Sequence, residues 1–172
     1  QRGAYTLAGA VAACFALSIA VLAPRISALV DRHGQRKVLP WAAAVSAAAM
    51  FALLACAHWQ GPDWLLLVLA ALVGALPSMP AMVRARWTVL LRGTPQLQTA
   101  YALEAVLDDV CFIVGPPLSV GLSMVLFPEA GPLAASLLLL VGVALFVAQR
   151  RTEPPVDTSQ QRTRQQSLAR HP

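Results

Sequence analysis

The sequence predicts an all-α, polytopic membrane protein with five transmembrane helices. Hydrophobic residues make up 58% of the 172-residue chain and charged residues only 12%, a balance outside the range of soluble domains. Charge is missing altogether from five long stretches, residues 3–24, 38–57, 64–83, 110–128 and 130–149. The cations that remain are gathered between alternate stretches. A chain of this length cannot wrap five such helices in protein, so lipid is the environment they call for.

Each stretch approaches the roughly 20 residues that a helix rising about 1.5 Å per residue needs to cross about 30 Å of hydrocarbon. Between the first and second lie Arg25, Arg32, Arg36 and Lys37, and between the third and fourth lie Arg84, Arg86 and Arg92. After the fifth come Arg150, Arg151, Arg162, Arg164 and Arg170, whereas the connections at residues 58–63 and 127–131 carry no Lys or Arg. Cytoplasmic loops collect positive charge, so the three basic regions are predicted inside, and the net charge of +5 reports topology instead of nucleic-acid binding. Trp41, Trp59, Trp64 and Trp87 fall at span ends, where indole prefers the headgroup layer.

Five spans with a cytoplasmic C-terminus place the N-terminus outside. The chain starts at Gln1 with neither a Met nor a basic leader and cleavage site, which predicts a further span upstream and a fragment, or a mature piece, of a larger protein. Residues 150–172, rich in Gln, Arg, Ser and Thr, have too little apolar surface to fold and read as a disordered cytoplasmic linker. Cys14, Cys56 and Cys111 lie inside spans without Cys-x-x-Cys spacing and read as small apolar residues. A single Lys against twelve Arg, with abundant Ala and Leu, points by composition to a bacterial source.

The segment Asp31-Arg32-His33-Gly34-Gln35-Arg36-Lys37 holds an acid and a glycine at fixed spacing among the cations. Gly suits a place where the chain reverses within a few residues, because it accepts φ > 0 without a Cβ clash. Asp31, the sole acid here, can pair with Arg32 or Arg36 or cap a helix. The segment resembles the signature loop between the second and third helices of major facilitator superfamily transporters, Gly-x-x-x-Asp-(Arg/Lys)-x-Gly-x-(Arg/Lys)-(Arg/Lys). Every position from the Asp onward matches; four residues earlier Ser27 replaces Gly, still small enough for close helix packing. The resemblance implies that the five spans are helices two to six of a twelve-helix transporter, residues 150–172 the linker between its halves, and Ser27, Asp31, Arg32, Gly34, Arg36 and Lys37 a gating loop.

Gly115-Pro116-Pro117, with Gly121 beyond, is similar to the Gly- and Pro-rich motif on the fifth helix of drug/proton antiporters of that superfamily, except that Ser119-Val120 replaces the usual Gly-Gly. Either an antiporter-type role or a helix kink accounts for it, and Pro77 and Pro80 invite the same two readings. Charge near a membrane is costly and is paired, wetted or functional. By resemblance to charge networks near the signature loop, Glu104 or Asp108 is expected to pair with Arg84 or Arg86 in a cytoplasmic gate. Asp108 and Asp109 are candidates for proton binding, since an acid withdrawn from water holds its proton more readily.

An intramembrane enzyme is the competing class. Asp108 and Asp109 diverge by about 100° on one helix and cannot share a proton as a catalytic dyad. Neither nucleophile elbow, metal-ligand spacing nor phosphate loop occurs in the sequence, and His33, His58 and His171 are scattered, so no metal or cofactor is expected. A non-transporting truncated or regulatory membrane protein is the third class. The resemblance favours multi-pass insertion in a bacterial cytoplasmic membrane and proton-coupled efflux of small amphipathic compounds by alternating access.

Overall fold

A computed structural model describes residues 2–149; the expected linker, residues 150–172, lies outside the described residues. All regular elements among these are helices: α1 (Arg2–His33), α2 (Gln35–His58), α3 (Asp63–Val73), α4 (Met79–Leu90), α5 (Gln96–Val125) and α6 (Ala130–Ala148). Four of them, α1, α2, α5 and α6, are long and apolar enough to cross a membrane alone. The chain is an all-α helical membrane protein.

The 31–37 segment is hardly a loop. Asp31, Arg32 and His33 form the last turn of α1, Gln35, Arg36 and Lys37 the first turn of α2, and Gly34 alone joins them. Its N–H donates to Val30 O at 2.7 Å, closing α1, while its carbonyl accepts from Lys37 and Val38 at 3.3 and 3.4 Å, opening α2. Gly34 does this at φ 90°, a region in which a Cβ would meet the backbone.

The third charge-free stretch, expected as one helix, is two. Pro77 has no N–H to give to Val73 O four residues back, and Pro80 likewise leaves Leu76 O without its donor. The helix stops at Val73 and restarts at Met79, where the Ser78 side chain accepts from Ala81 N. Buried backbone groups at such a break must find partners nearby. Ser46 of α2 donates to Val73 O at 2.6 Å and Ser18 of α1 donates to Ala71 O. The C-terminus of α3 is thus held by hydroxyls from two other helices. Gly74 lies so close to Ser18 and to Phe15 O that a Cβ there would force them to move.

Helix α2 lies at the centre, packed against α1, α3 and α6, and α5 packs on α4 and α6. Small residues on α2, Ala43, Ser46, Ala47 and Ala49, are buried, which allows the close approach that dispersion between apolar helices requires in lipid. The main core joins Val30, Leu39, Ala43, Met82 and Val143. This core brings the start of α2 next to α4 and α6. At the opposite end His58 Nδ1 and Glu129 Oε1 are 3.4 Å apart, joining the end of α2 to the start of α6. Among the described residues the molecule therefore has a basic end, with the Gly34 turn, the end of α4 and the end of α6, and a far end free of Lys and Arg apart from Arg2. Along α2 the exposed Trp41 and Trp59 are separated by roughly 27 Å of helical rise, close to the thickness of the hydrocarbon.

Candidate functional site

The fourth charge-free stretch begins at residue 110, but α5 begins at Gln96. Polar and acidic residues before 110 hide the helix from a hydropathy reading while Ala, Leu, Gln and Glu sustain it. Glu104, Asp108 and Asp109 consequently sit inside a 30-residue helix, several turns from its start.

Glu104 meets α4. Its Oε2 accepts from Arg84 Nε at 2.5 Å, and of the four pairings open to two arginines and two acids this is the one formed. The carboxylate side chain is only 9% exposed, the guanidinium side chain 51%. One end of the pair is sunk between helices and the other lies at the surface of the described residues. One turn along, Thr88 of α4 and Tyr101 of α5 share a hydrogen bond of 2.7 Å, and Thr88 Oγ1 also donates to Arg84 O at 2.8 Å. Arg84 and Thr88 are i and i+4, and Tyr101 and Glu104 are i and i+3, so each pair occupies one helix face. The second carboxylate oxygen of Glu104, Oε1, is buried without a hydrogen-bond partner among the described residues. Bound on one oxygen only, the acid is incompletely satisfied.

Arg86 leaves this seam. Two residues past Arg84 it points some 200° around the helix, where its Nε donates to Gln35 Oε1 at 2.9 Å and its Nη1 to Phe146 O at 2.8 Å. Of the two arginines open to the acids, Arg84 takes the pairing and Arg86 makes contacts with α2 and α6 instead. Asp108 forms no ion pair among the described residues, though it lies close enough to Arg84 for its charge to be felt there. Asp108 and Asp109 are exposed, on a helix whose neighbouring Leu107, Val110, Phe112 and Ile113 are exposed too.

In the signature segment Asp31, Arg32, Arg36 and Lys37 are exposed and Ser27 is half-buried. Asp31 neither pairs with a neighbouring Arg nor caps α2: no ion pair of Asp31 occurs among the described residues, and the N-cap position of α2 is Gly34, without a side-chain bond. An acid in the last turn of a helix opposes the helix dipole, at a cost of about 0.3–1 kcal/mol, so Asp31 is not there to stabilise α1. Gly115, Pro116, Pro117 and Gly121 lie on α5, whose helix runs on through both prolines to Val125. A Cβ at Gly115 or Gly121 would meet nothing among the described residues.

Ser18, Gln35, Ser46, Thr88 and Tyr101 make contacts that the sequence reading passed over. Only Ser46 and Ser18 had a signal, because Pro77 announces carbonyls short of a donor and uncharged polar side chains in neighbouring spans are natural suppliers.

Comparison with curated proteins and with solved structures returns no match. A family model described as Major Facilitator Superfamily matches residues 2–171, all but the two terminal residues. Helices of membrane-spanning length, the Gly34 turn with its acid and cations, and this match agree, and the chain belongs to the major facilitator superfamily of membrane transporters.

Proposed function

We propose that this transporter exports small amphipathic compounds from the bacterial cytoplasm in exchange for protons, with the basic end of the molecule facing the cytoplasm. The observation that carries the proposal is the placing of Asp108 and Asp109. A carboxylate at membrane depth costs about 2.5–3.5 kcal/mol or more against lipid, so the face of α5 that bears them belongs against water. A wetted, acid-bearing face flanked by Leu107, Phe112 and Ile113 suits both a proton and an apolar guest. Further helices beyond this chain complete that cavity, which alternating access opens first to one side and then to the other. The Arg84–Glu104 pair, exposed at one end and buried at the other, is the gate at the cytoplasmic rim.

The test is substrate-driven proton flux by the full-length protein in proteoliposomes. Asp108→Asn and Asp109→Asn each keep size while removing titration. At least one of them is expected to lower the proton flux tenfold or more while substrate binding persists, and Glu104→Gln to leave the protons moved per substrate unchanged. Wild-type stoichiometry in the Asp108→Asn/Asp109→Asn double variant would exclude both acids as coupling groups. A full-length protein that moves no amphipathic compound would favour the non-transporting alternative.

A further inference from the structure

Arg86 is 5% exposed, and burial of a guanidinium is tolerated only where its donors are met. Three of its hydrogen bonds come from two helix ends that are distant in sequence. Nε reaches Gln35 Oε1 at 2.9 Å, at the first residue of α2. Nη1 reaches Phe146 O at 2.8 Å and Gln149 O at 3.2 Å, in the last turn and at the C-cap of α6. The Phe146 ring lies under the guanidinium carbon at 3.6 Å, close enough for a cation–π contribution. Carbonyls at a helix C-terminus lack intrahelical donors and carry the negative end of the dipole, so a cation brought in from another helix caps α6. Gln35 is gripped twice by α4, since its Nε2 also donates to Met82 O at 3.3 Å.

We propose that Arg86 is a positioning residue that fastens the Gly34 turn to the last turn of α6, so that the signature segment and the point where the chain leaves α6 move as one body during transport. The proposal rests on the transporter reading above. It assigns to Arg86 a task separate from that of Arg84, although the two are neighbours on α4. The planar fork of Arg donates in several directions at once. A Lys ammonium, whose donors all sit on one atom that reaches less far than the Arg fork, cannot span Gln35 and the two α6 carbonyls together.

The test uses the full-length protein in lipid nanodiscs for hydrogen exchange and in proteoliposomes for transport, with Arg86→Met, Arg86→Lys and Gln35→Leu. Both Arg86 variants are expected to speed exchange at least tenfold in residues 37–39 and 146–149, with the middle of α5 unchanged. Gln35→Leu is expected to do so in residues 37–39 only, since the cap on α6 stays. In all three the maximal transport rate is expected to fall several-fold while the half-saturating substrate concentration stays within twofold. Wild-type exchange in both segments of Arg86→Met, or full rescue of exchange and rate by Arg86→Lys, overturns the proposal. Should the Arg86 variants fail to reach the membrane, Gln35→Leu decides: wild-type exchange in residues 37–39 overturns it. A wild-type protein that transports nothing refutes the transporter reading and the movement assigned to the clip, whereas the exchange pattern still decides whether Arg86 joins the two ends.

Discussion

Ser46 shows how one hydroxyl decides a local structure. Proline at position 77 deletes the donor that a continuous helix would send to Val73 O, and Ser46 Oγ stands there instead at 2.6 Å. Side-chain hydrogen bonds between membrane helices contribute on the order of 1 kcal/mol, and a buried carbonyl left unpaired costs about 1–3 kcal/mol. Ser46→Ala is therefore expected to destabilise the full-length protein by about 1 kcal/mol, and Ser46→Thr to retain most of that. Reversible denaturation in detergent micelles checks this, and identical midpoints for wild type and Ser46→Ala would show that the hydroxyl is dispensable. Gly34 was legible from sequence because its requirement is local: a reversal within one residue asks for positive φ. The partner of Glu104 was legible only to within two arginines, because the angular separation of Arg84 and Arg86 follows from helical periodicity but the neighbour each faces is set by tertiary packing.

At the scale of the element, the break between α3 and α4 results from a conflict between hydropathy and backbone chemistry. Residues 64–83 carry no charge and read as one span, yet Pro77 and Pro80 each remove one donor, less than a turn apart. If the prolines are the cause, Pro77→Ala/Pro80→Ala should let the two helices merge. Amides of residues 75, 76, 78 and 79 would then exchange at least tenfold more slowly in the full-length protein. Unchanged exchange there would place the cause of the break in the packing of Gly74 against α1 instead. The start of α5 was missed for the converse reason. Residues 96–109 are helical by propensity and too polar for a hydropathy reading, which finds lipid-facing stretches and not helices as such. The ends of α2 and α6 were found to within a few residues, because there the helix and its apolar stretch coincide.

At the scale of the molecule, charge and geometry agree on two ends. The Gly34 turn, Arg86 and the end of α6 touch one another, and His58 touches Glu129 at the other end. Single cysteines at Lys37 and Arg92 are expected to react with an impermeant reagent only after permeabilisation, and one at Gln60 in intact cells. The reverse pattern would invert the assigned orientation. The five charge-free stretches carried this two-ended plan in the sequence; the face that each helix turns to its neighbours they did not carry. The one-residue join between α1 and α2 has a mechanical meaning. Two rods roughly 35–50 Å long that share a single-residue pivot behave as the legs of a compass: they cannot part at the pivot, and any change in their angle is greatest at the tips. A rotation of about 10° would carry a tip through roughly 6–8 Å at those lengths. Helix α3 lies against both legs away from the pivot, and Ser18 on one and Ser46 on the other both bond to its last turn. It is the spreader bar, and the legs cannot change their angle without moving it or breaking those bonds.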